Sequence, residues 1–288
     1  MSSALFSVLF HGLAYSMILY LIAVGLTVTM GLMHFINIGH GAFAATGGYL
    51  TIAIMNRFGW DFPFAVVAAV LIVGLGSIPL ERFLYRRFYG NDPLDQVMMS
   101  IGLIFISMTI FTYVWGSLWV PMSLPPYLRG DIHLWGETFP FYRGFIIIMG
   151  AVIAAALSLV FDRTRLGALL RATVENRRMA ESVGINTSRL YTTAFVIGSG
   201  LAALGGALGA DLLPIQPHYA LEYCVYFLII VVVGGLGNIR GSFIAAIILG
   251  IADTACKYWL PDLGAFAIYF ATFALLLWRP AGIAGRAA

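Results

Sequence analysis

In the stretch FINIGHGAFAATGGYL, residues 35–50, two side chains able to bind a solute or move a proton, Asn37 and His40, stand among Gly39, Gly41, Gly47 and Gly48. The text on either side is apolar. A polar side chain in hydrocarbon is costly unless it faces a broken helix, a cavity or a polar partner. Asn37, Gly39, His40 and Gly41 are therefore candidates to line a solute path; a duller use of His40 is to donate to a nearby carbonyl and satisfy a helix break. A second glycine-rich break, GGLGNIRG at 234–241, holds Gly235 and Asn238, and NIRGSFIAA at 238–246 echoes NIGHGAFAA at 37–45. Transporters are often built from repeats whose interrupted helices lie beside the substrate path. Gly235 and Asn238 thus join the candidate path.

Other reactive groups support no enzyme. The single lysine, Lys257 in TACKYW, leaves no P-loop, which needs Gly-x-x-x-x-Gly-Lys before Ser or Thr. The histidines are scattered and none lies in a nucleophile motif. Cys224 and Cys256 sit in or beside apolar runs without His or Cys at ligand spacing, so they read as packing residues and no metal site is expected. Asp211, Glu222 and Asp253 fall toward one end of the apolar segments, and Asp253 and Lys257, four apart, are spaced to pair on one helix face.

The elements that must position these groups follow from composition. The chain of 288 residues is 61% hydrophobic and 10% charged, with mean hydropathy +0.93; soluble domains carry about 25% charged residues. Its apolar runs are continuous and lack period-two alternation, which excludes a barrel and leaves helices as the spanning structure. We expect an all-α polytopic bundle, one domain over residues 1–288, with segments at about 4–31, 41–55, 62–80, 95–115, 143–161, 188–210, 221–234, 241–256 and 264–278. That makes eight or nine crossings, the shortest segments being possible half-helices. No cleavable signal peptide is expected in MSSALFSVLF.

Basic residues concentrate in cytoplasmic loops. Twelve of the sixteen, Arg82, Arg86, Arg87, Arg163, Arg165, Arg171, Arg177, Arg178, Arg189, Arg240, Arg279 and Arg286, fall on one side; Arg57, Arg129, Arg143 and Lys257 fall on the other. That side is expected to be cytoplasmic and to hold the C-terminus. The N-terminus lies outside if the first segment crosses fully, or inside if it breaks near His34. The +3 charge is this arginine bias, so no nucleic-acid partner is expected.

Three further stretches are informative. GSGLAALGGALGA at 198–210, with Ser199, Ala203, Gly205 and Gly209 at four-residue spacing, reads as a helix-packing seam. WGSLWVPMSLPPYLRGDIHLWGETFPFYRG, about 115–144, reads as an aromatic outer loop in which Pro121, Pro125 and Pro126 forbid a long helix; it is either a headgroup belt or a docking surface. DRTRLGALLRATVENRRMAESVGIN, 162–186, is too charged to cross, yet Leu166, Leu169, Leu170, Val174 and Met179 form an apolar stripe at helical spacing. It reads as one amphipathic helix outside the bilayer, capped at Gly184, resting on anionic lipid or fitting a groove on a partner.

RTRLGALLRATVENRRMAESVGIN, FINIGHGAFAATGGYL, VVVGGLGNIRGSFIAAIILGI and the closing WRPAGIAGR, in this order, together resemble the permease subunits of ABC importers for branched-chain amino acids, the shorter LivH-like type. INIGHG stands where many relatives carry Asn-Phe-Ala-His-Gly, which keeps the Asn and the His. The resemblance implies a bacterial inner-membrane protein paired with a second related permease, two cytoplasmic P-loop ATPases that use ATP and Mg, and a periplasmic solute-binding protein. This chain itself would bind no cofactor. The resemblance also makes 163–184 a coupling helix, with Arg171, Glu175, Arg177, Arg178, Glu181 and Gly184 meeting the ATPase. Solutes of such permeases extend to amides, urea and aromatic acids. The other function class consistent with the residues is an ATP-independent channel or secondary transporter.

Overall fold

The computed structural model describes residues 2–33, 35–134, 137–280 and 282–284. Each apolar run becomes a helix: α1 (Ser2–Met33), α2 (Gly41–Phe58), α3 (Phe62–Phe83), α4 (Pro93–Trp115) and α5 (Phe141–Arg163). Then come the short α6 (Arg165–Glu175) and α7 (Arg177–Ser182), followed by α8 (Thr187–Gly209), α9 (Tyr219–Gly234), α10 (Ile239–Trp259) and α11 (Ala267–Trp278). Seven of these are long and apolar enough to cross a membrane, while α9 and α11, at 16 and 12 residues, are shorter. All nine apolar segments anticipated in the sequence are thus helical.

α1 is the centre of the bundle. It is apolar all round and 83% of its membrane-length window is buried, against 17% for α4 and for α5; a helix without a polar face must be enclosed on every side. It runs antiparallel to α10, since Gly12 faces Ile251 and Gly31 faces Gly237, and antiparallel to α8, since Gly25 faces Gly198 and Ile18 faces Gly209. α1 is therefore one unbroken crossing. On α8, Gly205 faces Ile22 of α1 and Gly206 faces Ala44 of α2, the expected seam, wedged between two helices.

The arginine-rich connections all fall at one end of the bundle, and four of the helices there start with side-chain caps. Thr164 accepts from Gly167 N at 3.2 Å, Asn176 from Met179 N at 3.0 Å, Asn186 from Arg189 N at 3.0 Å and Asn238 from Gly241 N at 2.9 Å. Each such cap is worth about 1 kcal/mol.

One expectation needs correction, and one connection gains a short element. The segment 163–184 is not one helix, because Asn176 is extended (φ −156°, ψ 97°) and divides it into α6 and α7. Within the aromatic connection at the opposite end, an antiparallel hairpin forms from β1 (Asp131–Leu134) and β2 (Glu137–Pro140), pairing Asp131 with Pro140 and His133 with Thr138. His34 and Arg286 lie outside the described residues.

Candidate functional site

Asn37 and His40 do come together with the first break, and the structure places both inside the protein, each 1% exposed. Residues 38–40 form a single 3-10 turn that opens α2. The strand of chain before it is held from α4: Gln96 Oε1 accepts from Ile36 N at 3.0 Å, and the Ser100 hydroxyl donates to the Ile36 carbonyl at 3.2 Å. Asn37 Oδ1 accepts from the Tyr85 hydroxyl at 3.1 Å. Asn37 Nδ2 and both ring nitrogens of His40 have no partner among the described residues. The His40 ring stands edge-on to Phe43 at 5.8 Å, and its Nε2 faces the backbone of Gly25, where an added Cβ would lie 2.9 Å away. The carbonyl expected to accept from His40 is therefore not supplied. Three unpaired polar atoms in so dry a place are costly and unusual.

The second break is closed differently. Asn238 caps α10 and its Nδ2 donates to the Ala284 carbonyl at 3.1 Å, so its side chain is used by the local fold. Gly235 and Gly237 take positive φ, 96° and 76°. A Cβ on Gly31 would lie 2.3 Å from the Cα of Gly237, so the end of α1 touches the second break backbone to backbone. The first break meets α1 at Gly25, through His40, and the second meets it at Gly31, through Gly237.

A charged cluster that sequence reasoning missed sits next to the first break. Glu81, at the end of α3, is fully buried. Its Oε1 accepts from Arg86 Nε at 3.3 Å and from the Tyr89 hydroxyl at 2.9 Å; its Oε2 accepts from Arg86 Nη2 at 3.2 Å and from the Thr192 hydroxyl of α8 at 2.9 Å. Burial and the Glu81 charge together raise the Tyr89 phenol well above its ordinary range, so it remains a donor. Glu81 thus ties α3, the turn at 85–89 and α8 into one unit. The Tyr85 of that turn is the residue that holds Asn37.

The α6–α7 pair connects to this unit through α8. Thr187 Oγ1, in the first turn of α8, donates to Glu181 Oε1 at 2.7 Å. Gly184 ends α7 with φ +87°, and Gly184 N to Glu181 O and Ile185 N to Ala180 O, both 3.0 Å, make a Schellman closure. Leu170 and Ala180 are buried, whereas Met179 and Val183 are exposed at 66% and 72%. The anticipated apolar stripe is therefore split: Leu170 faces the protein, and the α7 tip presents apolar side chains outward. A groove of about 470 Å³ runs between α6 and the start of α8, lined among others by Leu169, Gly184, Arg189 and Thr193. Arg171 donates to the Phe161 carbonyl, which leaves Arg178 as an exposed cation beside the tip. Glu175 closes α6 and Arg177 opens α7; their side chains lie outside the described part. Among the described residues there is no group of three metal-ligating side chains.

The geometry is that of a many-spanning bundle with broken helices and a protruding element at its arginine-rich end, and the family comparison agrees. Residues 8–277 match the family described as branched-chain amino acid transport system / permease component. The chain belongs to this family. Among curated relatives of the permease, it is 29% identical to the high-affinity branched-chain amino acid transport system permease protein LivH of Escherichia coli (strain K12), over 96% of this chain and 94% of that protein. It is also 26% identical to the LivM permease protein of the same system in the same organism, over 93% of this chain and 68% of LivM. In fold it is similar to a chain of PsaBC from Streptococcus pneumoniae in complex with Fab, with TM-score 0.50 and 10% identity over 93% of this chain and 88% of that one. It is a multi-pass permease of the ABC type.

Proposed function

We propose that this permease forms half of the translocation path of an inner-membrane importer for branched-chain amino acids, driven by ATP hydrolysed in separate subunits. The observation that carries the reading is the family match over residues 8–277 combined with an apolar, capped tip that projects from the arginine-rich end. By the bias of basic residues that end is cytoplasmic, which makes the C-terminus cytoplasmic and the N-terminus external. Likeness to both LivH and LivM, two permeases of one system, supports a pairing with a second, related permease. The sparsely buried α4 and α5 leave large apolar faces for lipid and for that partner.

The groove and tip around Gly184, Met179, Val183, Arg178 and Glu181 are the docking point for one of the two P-loop ATPases, which bind ATP and Mg. A periplasmic solute-binding protein delivers the amino acid to the opposite end. Movement of α7 acts on α8 through Glu181 and Thr187, then on α3 and the 85–89 turn through Thr192, Glu81 and Arg86, and reaches the first break through Tyr85 and Asn37. Rearrangement there presents Asn37 Nδ2 and His40 to the path, giving these unpaired atoms a partner only in the transporting state; Gly39, Gly41 and Gly235 supply the bends. This chain performs no chemistry itself.

The test is purification from native membrane in mild detergent, identification of co-purifying proteins by mass spectrometry, and leucine uptake after reconstitution. Recovery of a second permease and a P-loop ATPase, with ATP-dependent uptake, is the expected result. A chain recovered alone that moves leucine without ATP would overturn the reading.

A further inference from the structure

At the end opposite the arginines, α1, α9, α10 and α11 bring together an acid, a lysine and several tyrosines that the coupling path does not use. Asp253 of α10 is 1% exposed, yet only its Oδ2 is engaged, by Lys257 Nζ at 2.6 Å; Oδ1 has no partner among the described residues. A buried carboxylate with one idle oxygen is a poor structural device, because half of its desolvation goes unanswered. Around it stand tyrosines from three other helices. The Lys257 ammonium lies 5.6 Å from the centroid of the Tyr15 ring, and the Tyr15 hydroxyl is within electrostatic reach of Asp253, Tyr219, Tyr223 and Tyr226. Tyr219 and Tyr223 are 4.8 Å apart, Tyr226 and Tyr269 6.3 Å, and the fully buried Tyr219 hydroxyl also lacks a partner.

A carboxylate with an electron-rich ring beside its ammonium partner is the arrangement that holds an organic ammonium, by charge and by cation–π attraction. Here one already sits in it, on a tether. The Lys257 side chain is half exposed, so it can leave toward solvent. We propose that Asp253 with Tyr15 forms an entry site for the ammonium group of the transported amino acid, and that Lys257 is its resident occupant. An arriving zwitterion places its ammonium on Asp253 and its carboxylate on the displaced Lys257, exchanging one ion pair for two. The site rests on the amino-acid import reading and adds to it the residues that recognise the zwitterion.

Lys257 is the only lysine of the chain, which gives a direct readout. The complex, purified with its partners and reconstituted in phosphatidylglycerol vesicles, is acylated with a membrane-impermeant sulfonated succinimidyl ester, and the rate at Lys257 is followed by peptide mapping. Expected is a saturable acceleration of about tenfold by N,N-dimethyl-3-methylbutylamine, a protonated tertiary amine that the ester does not acylate, equivalent to ~1.4 kcal/mol of lost pairing. N,N-dimethylleucine should compete with it, and 4-methylpentanoate, which lacks the ammonium, should do nothing. Asp253→Asn should label fast and ignore the amine, and Tyr15→Leu, which keeps the ion pair, should weaken the amine response. A wild-type rate indifferent to the amine, or a response retained in Asp253→Asn, overturns the site. If phosphatidylcholine in the vesicles, whose quaternary ammonium the ester cannot acylate, alone produces the full effect, the ammonium recognised is a lipid headgroup and the solute assignment falls. ATP-dependent leucine uptake is measured on the same vesicles. Uptake with unresponsive labelling sinks this site alone, and responsive labelling without uptake sinks the import reading instead.

Discussion

Removing the charge of Glu81 separates its role as a mechanical tie from mere packing. Its carboxylate is fully buried and accepts four hydrogen bonds, two of them from a guanidinium whose side chain is 41% exposed. Bonds to a charged group are worth about 1.5–3 kcal/mol each at most, but Arg86 can return to water, so its share is discounted. In Glu81→Gln the shape is kept, one oxygen becomes an NH2 that faces a donor, and the charge is gone; a loss of about 2–4 kcal/mol is expected. Arg86→Gln leaves the carboxylate buried with only Tyr89 and Thr192, and should be comparably harmful. The double variant removes both charges and should recover part of the loss, with a coupling of about 1–3 kcal/mol. The assay is a thermal-unfolding series of the four purified complexes, read as non-additive shifts in Tm, alongside the ratio of leucine uptake to ATP hydrolysis. That ratio should fall about tenfold in Glu81→Gln, since 1.36 kcal/mol of lost coupling suffices for tenfold. Additive Tm shifts, or uptake and hydrolysis falling in parallel, would refute the tie.

Three shorter expectations concern other parts of the fold. Gly184→Ala puts a Cβ on a residue at φ +87°, a strain of about 1–2 kcal/mol; with Met179→Asp at the exposed tip it should leave the bundle folded while ATPase co-purification and coupled uptake drop, and unchanged coupling would count against the docking role. Gly31→Ala has no room against Gly237, whereas Gly76→Ala on α3 meets nothing within 4 Å, so the first should cut yield of folded permease and the second should be neutral, as detergent-stable monodisperse fraction would show. Asp211, on the surface beyond the end of α8, has its carboxyl raised by partial desolvation, partly offset by Arg143, an effect that solvent screening keeps small. The charged form is thus disfavoured in the folded state, a penalty that grows as pH rises from the ordinary value through the raised one, and Asp211→Asn should gain Tm at neutral pH but not at about pH 3.

The crossings were legible because lipid makes length and apolarity nearly sufficient: each of the nine runs is bounded by Arg, Pro, Gly or Asn, and those residues cap or end the helices. Asn37, His40, Asn238 and Gly184 were also visible, each being a local anomaly in apolar text or a helix stop. What escaped was non-local. Glu81 looks like the edge of a basic loop until Thr192, more than a hundred residues on, closes over it. Gln96 and Ser100 read as ordinary residues of α4 although they hold the first break. The split at Asn176 is announced by no proline or glycine, since the residues around it read Glu175, Asn176 and Arg177. The strand pair within 131–140 begins on Asp131-Ile132-His133-Leu134, whose polar–apolar alternation is only four residues long and is lost among the aromatic and proline residues around it.

The central place of α1 carries a consequence for how the protein is made. Its packing surfaces belong to α8 and α10, and α10 leaves the ribosome roughly 200 residues later, about 10–40 s at ordinary elongation rates. Until then Ser16, Thr27 and Thr29 must satisfy themselves within α1, and they do: each donates to its own helix, Ser16 to Gly12, Thr27 to Ala23 and Thr29 to Gly25. Only afterwards does Thr27 acquire Ser242 of α10 at 2.8 Å. The helix is thus built to wait in lipid without penalty, and assembly of the permease is completed last at its middle.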